Sequence, residues 1–201
     1  KGSANDVRKF RDELRWQEYA RHLYARLGNA TGSPLRNAPV VRSTNDAEPW
    51  DRSMRCIEIN LNELERDGWM VNQTRMWLAS QWSVRNGADW RVGEQYFFTH
   101  LLDGSRAANR LGWQWTVGAG SSKVYGFSQS QVRRRAPELC GSCTHRDACP
   151  IGEWPDKPEL SPVERDPRLR HDPDPAMTAG PAELEHSSSP VVVWLTAESL
   201  G

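Results

Sequence analysis

Between residues 101 and 118 the chain reads LLDGSRAANRLGWQWTVG, which sets a carboxylate at Asp103, a carboxamide at Asn109 and two indoles, Trp113 and Trp115, within one short span. A carboxylate pairs with a guanidinium, a carboxamide both donates and accepts hydrogen bonds, and an indole stacks on flat rings and is readily oxidised. Further along, CGSCTHRDACP spaces Cys140, Cys143 and Cys149 as C-x2-C-x5-C, close to metal-ligand spacing, with Cys56 or His145 as a fourth ligand. Such a set could take zinc or an iron-sulfur cluster. The chain holds 10 Trp, and for any single one packing is the default role. Only the pattern around them can say more.

These groups need elements to hold them. In NDVRKFRDELRWQEYARHLYARLG, Val7, Phe10 and Leu14 and then Tyr19, Leu23 and Leu27 fall at helical spacing, with Asn5 or Asp6 as cap and Gly28 as stop. Residues 29 to 50 are rich in turn formers and lack a period, which predicts a loop. RCIEINLNELERD reads as the second helix. A third, aromatic-rich and buried, runs through WMVNQTRMWLASQWSVRNG to Asn86-Gly87, a left-handed stop. DWRVGEQYFFTHLLDG repeats the logic with Asp89 as cap and Gly104 as stop, and SQSQVRRRAPEL gives a short last helix. Strand signals are nearly absent before residue 190, so the first 150 residues are expected to be all-α.

Composition changes along the chain. Residues 1 to 150 carry 22 Lys and Arg against 16 Asp and Glu, and residues 151 to 201 carry 4 against 10. A mildly basic first part suits a nucleic-acid partner without specifying one. From Trp154 the sequence is dense in Pro, Asp, Glu and Ser, too poor in large apolar residues to offset its chain entropy. The expected organisation is therefore a helical domain over residues 1–155, a disordered acidic Pro-rich linker over 156–189, and the start of a further, truncated domain at 190–201, where PVVVWLTAESLG reads as a strand. No run reaches the roughly 20 apolar residues of a membrane helix. Three clustered cysteines in a chain this long do not look like a secreted disulfide framework, which points to a cytoplasmic protein.

Four ordered motifs carry a resemblance. GWMVNQTRMWLAS, DWRVGEQYF, LLDGSRAANRLGWQWTVG and the closing RRRAPEL…IGEWP, together with ELRWQEY, resemble in order and spacing the C-terminal FAD-binding domain of the DNA photolyases and cryptochromes, across about residues 5 to 155. The resemblance implies an all-α FAD-binding domain whose front part is missing from this sequence. It also implies blue-light-driven repair of cyclobutane pyrimidine dimers by electron transfer from reduced FAD, with a cryptochrome-like photoreceptor lacking repair as the alternative. The partner implied is damaged DNA, bound by a monomer without any membrane.

Residue by residue, the resemblance places Trp113 next to the flavin as its electron donor and Trp90 one step farther out. The outermost tryptophan of the family falls in a segment that is shortened here, and Trp50 aligns to it poorly. Asn109 resembles the residue facing flavin N5, where a neutral carboxamide can accept from a protonated nitrogen or donate to a bare one. Arg75 and Asp103 resemble the pair that brackets the isoalloxazine. Trp69, Asn72 and Ser105 fall at further cofactor positions, Ser105 standing where a second acid is usual. On the substrate side, Trp16 and Trp115 resemble the two indoles that hold a dimer, with Glu13, Asn72 and Met76 as the remaining contacts and Glu13 among the catalytic groups. Val71-Asn72 occupies the place of the paired histidines of (6-4) enzymes, which favours cyclobutane dimers. Gln17 and Gln73 replace arginines usual in the family, and with them two possible phosphate contacts.

Overall fold

The structure, a computed structural model, describes residues 2–42, 49–121 and 123–170. The linker expected over 171–189 and the strand expected at 190–201 lie outside the described residues. Helices dominate the described residues, as the sequence predicts, and they fall into two compact units.

Of the described residues, the first unit comprises 2–33, 105–111 and 165–170. Its main element is helix α1, Ala4–Leu27, which starts one turn earlier than Asn5 or Asp6 would place it. Ser3 is the cap: its side chain accepts from the Asp6 N–H while Asp6 returns a bond to the Ser3 backbone, so Asp6 serves as the reciprocal partner. Gly28 closes the helix with φ +52°. Ala20, Leu23 and Leu27 are buried, yet Val7, Phe10 and Leu14 stand exposed, Phe10 at 65 %. The apolar row over the first half of α1 is thus unpartnered among the described residues.

The second unit, Pro34–Gly104 and Gly112–Glu164, holds the large core. Helix α2, Arg55–Asp67, coincides with the sequence expectation; it buries Ile57, Leu61 and Leu64 on one stripe and ends at Gly68 with φ +64°. Helix α3, Asn72–Ala79, passes directly into a π-helical stretch, Ser80–Arg85, before the left-handed Gly87. Helix α4, Trp90–His100, is capped by Asp89, whose carboxylate accepts from the Arg91 N–H at 3.0 Å. Helix α5, Arg106–Val117, was not foreseen as an element; its first half belongs to the first unit and its second half to the second. Short helices α6, Gln129–Arg135, and α7, Pro137–Gly141, complete this part.

Two corrections concern irregular segments. Within the loop expected over 29–50, Asn37–Pro39 forms strand β1, and within the linker expected over 156–189, Leu160–Pro162 forms strand β2 antiparallel to it. A short helix α8, Pro167–Arg170, follows in the first unit, where Arg168 donates to the Leu27 carbonyl at 3.4 Å. The pairing is specified by side chains rather than by composition. Leu160 covers Gly118, where a Cβ would come within 2.9 Å of it, and Asn37 Nδ2 donates to the Gly118 carbonyl at 3.1 Å.

Candidate functional site

The centre of the second unit is a cluster of aromatic rings around Trp113. That indole is only 2 % exposed and meets Phe97 edge-on at 5.0 Å and Trp82 edge-on at 6.5 Å between ring centroids. Its depth is set by Gly93 of α4: a Cβ there would stand 2.3 Å from the far edge of the Trp113 ring. The glycine of the DWRVGEQYF motif therefore exists to let one indole lie against a helix backbone. Gly93→Ala is expected to destabilise the domain by about 1–2 kcal/mol, an overpacking cost partly offset by the better helix propensity of Ala. Urea denaturation would measure it, and an unchanged midpoint would mean that Trp113 has room to move.

Trp113 Nε1 has no hydrogen-bond partner among the described residues although it is buried. An indole N–H in such a place costs energy unless something accepts from it. The neighbouring indoles are satisfied: Trp82 Nε1 donates to the Asp89 carbonyl and Trp50 Nε1 to the Leu78 carbonyl, both at 2.8 Å. Trp90, the first residue of α4, is buried in the same core at 3 % exposure. The ring contacts of Trp113 nevertheless go to Trp82 and Phe97, not to Trp90.

A charged pair lies at the edge of the same unit. Arg75 of α3 contacts Asp103, in the loop after α4, with both terminal guanidinium nitrogens 3.1 Å from Oδ2. Local geometry explains the meeting. The left-handed Gly68 ends α2 against Leu102, whose N–H donates to the Gly68 carbonyl at 3.0 Å, so the start of GWMVNQTRM is fastened to LLDG. Arg75 Nε is held in turn by the Met70 carbonyl at 3.1 Å. The pair is partly exposed, 24 % and 48 % by side chain, so it adds at most about 1 kcal/mol to folding. Its position, not its strength, is the reason to single it out.

The remaining residues divide between the units. In the first, Ser105 accepts the Ala108 N–H at 3.2 Å and so caps α5. Asn109, on the following turn, is buried. Glu13 and Trp16 stand on the exposed part of α1, Trp16 60 % exposed with its ring edge-on to Tyr19 at 5.8 Å. In the second unit Trp69 and Asn72 are exposed, Met76 is half-buried, and Trp115 is exposed beside Tyr125 at 5.7 Å. Sequence reasoning passed over Gln114, the middle residue of WQW, which is fully buried and accepts the Leu35 N–H at 3.1 Å. It ties the chain before β1 to α5.

The cysteine expectation is not supported. Cys56, Cys140, Cys143 and Cys149 line one small pocket together with His145, but no group of three or more Cys, His, Asp or Glu among the described residues is placed to hold a metal ion. Burial pushes the Cys56 thiol up to about 12 and raises Cys140 as well. His145 is engaged elsewhere, with Nε2 2.8 Å from Ser53 Oγ. The same pocket is lined by the apolar Met54, Val132 and Ile151 and by the polar Gln129 and Arg146.

Comparison with known proteins agrees with the motifs. Residues 10–140 match the family described as the FAD binding domain of DNA photolyase. The chain is 28 % identical over 155 residues to a deoxyribodipyrimidine photo-lyase of Synechococcus sp., an alignment covering 67 % of this chain and 32 % of that protein. It is 32 % identical over 157 residues to the protein of the same name from Salmonella typhimurium, covering 71 % and 31 %, and 34 % identical over 116 residues to that of Vibrio cholerae, covering 54 % and 25 %. It therefore spans about a third or less of the curated relatives it matches. No helix among the described residues is long and apolar enough to cross a membrane.

Proposed function

The chain belongs to the family of FAD binding domains of DNA photolyases, and from that premise we propose that it forms part of a light-driven enzyme repairing cyclobutane pyrimidine dimers in DNA. The observation that carries the proposal is the setting of Trp113: a wholly buried indole, seated against Gly93, with an N–H that lacks an acceptor among the described residues. The donor set fits a flavin. Arg75 and Asp103, both of the second unit, offer a guanidinium and a carboxylate that can bracket a polar, partly anionic ring system. Bound FAD would supply light absorption and one-electron transfer to and from the lesion.

The residues of the chain then have distinct tasks. Trp113 would serve as an electron donor to the bound cofactor, and Asn109 would supply a neutral carboxamide that can donate or accept without changing its own protonation. Trp16 and Trp115, both exposed, receive bases that have left the DNA stack. Glu13 and Asn72 offer hydrogen bonds to base edges, and Met76 offers an apolar contact. The names of the relatives support the same substrate class.

The test is a binding comparison with the full-length protein. Trp16→Ala should weaken binding to dimer-containing DNA by about 1–3 kcal/mol, the usual scale of a base–aromatic stack, with little change on undamaged DNA. Trp16 is exposed on α1, so its loss does not threaten the fold. Equal losses on both probes in a gel shift would remove Trp16 from the lesion site.

A further inference from the structure

The second unit carries a cleft of about 630 Å³ that the flavin assignment leaves unused. It lies along the π-helical stretch Ser80–Arg85, past the end of α3, whereas Arg75 sits near the start of that helix. Gln81 and Arg85 of that stretch line it, together with Asp51 and with Glu153, Trp154 and Asp156 from the segment after α7. A volume of this size accommodates a small organic molecule.

Two polar atoms there lack partners inside the fold. Gln81 is 5 % exposed, and its Oε1 accepts from no group among the described residues. Arg85 is anchored through Nη2, which donates to the Phe127 carbonyl at 2.8 Å and to the Glu153 carbonyl, while its buried Nε–H finds no acceptor. A buried acceptor and a buried donor each cost free energy when left unmade. The two residues are four apart in one helical stretch, so their side chains are neighbours. A molecule carrying an N–H beside a carbonyl oxygen on one edge, as a lactam ring does, satisfies both at once.

The remaining groups suit the rest of such a molecule. Trp154 rests on Gly126, where a Cβ would stand 2.5 Å from its ring, and at 56 % exposure it still offers a flat surface to a heterocycle. Asp51, Glu153 and Asp156 outnumber the cations of the cleft, Arg85 and Arg42, and Arg42 is turned to the Val84 carbonyl at 3.2 Å. Carboxylates accept hydrogen bonds from the hydroxyls of a ribose and repel a phosphate group.

We propose that this cleft binds a neutral nucleoside with a lactam edge, of the guanosine type. The base lies against Trp154, with its N–H on Gln81 Oε1 and its carbonyl oxygen on Arg85 Nε, and the ribose hydroxyls meet the carboxylates. The site is independent of the flavin assignment.

Equilibrium dialysis of the full-length protein against labelled guanosine, with FAD in excess to fill any flavin site, reads the binding. Saturable uptake of one guanosine per chain is expected, with guanosine 5′-monophosphate bound several-fold more weakly. Gln81→Leu should weaken guanosine binding about tenfold and leave thermal unfolding unchanged or raised, since it removes an acceptor that has no donor in the fold. Asp156→Asn, at an exposed residue outside the core, should narrow the gap between nucleoside and nucleotide. No saturable guanosine binding, equal affinity for the nucleotide, or a gap untouched by Asp156→Asn overturns the proposal. Binding that survives Gln81→Leu and is lost in Asp103→Asn also overturns it, and assigns the guanosine to the flavin site instead.

Discussion

Trp113→Phe in the flavin-loaded protein should leave the cofactor bound and nearly stop its photoreduction. The phenyl ring keeps most of the apolar contact with Phe97 and the Gly93 backbone, so the structural cost is about 1–2 kcal/mol, far from what unfolding a domain requires. What changes is the ease of oxidation. A phenyl ring in place of the indole is much harder to oxidise and leaves no electron donor at position 113. Transient absorption with reductant present separates the two effects, since retained flavin absorbance reports binding and its bleaching reports reduction. An unchanged photoreduction yield would take Trp113 out of the path.

The second large effect is expected at Asp103. In Asp103→Asn the partly exposed pair with Arg75 is weakened, and stability should fall by less than about 1 kcal/mol. Cofactor retention should fall far more, because Arg75 loses the charged carboxylate that aims its guanidinium. A fluorescence titration of released flavin against an unfolding curve reads both quantities on one preparation. A variant that lost stability and kept its flavin would make the pair a structural bridge.

Much of the scaffold is legible in the sequence because it is written in local signals. Asp89 before Trp90 marks a helix start, Gly87 a left-handed stop, and Ile57, Leu61 and Leu64 mark the buried stripe of α2. Helix α5 is harder to see. Gly112 and Asn109 are poor helix formers, and the element exists because Ala107, Trp113 and Val117 are buried along it. The pairing of β1 with β2 is invisible for a different reason: three residues on each side, two of them prolines, show no alternation. Its information lies in Leu160 meeting Gly118.

The candidate site divides in the same way. Motif order singles out Trp113, Arg75 and Asp103, and the last two are in contact. Which rings touch Trp113 is a tertiary fact. Trp82 enters the core from a π-helical stretch whose register no periodicity announces, and Trp50 comes from a segment without any period. The cysteine loop shows the converse error. C-x2-C-x5-C spacing is common to metal sites and to thiols that bind none, and only the placement of the side chains separates the two; among the described residues no group of three or more is placed to hold a metal ion.

The most direct measurement is the cofactor content of the full-length protein, purified under dim light and denatured to release what it holds. Stoichiometric FAD, identified by mass and by its absorption bands, together with a clear loss in Asp103→Asn, is the expected result. Full-length, folded protein that carries no flavin and takes none up from solution would contradict the assignment of Trp113, Arg75, Asp103 and Asn109 to a flavin site.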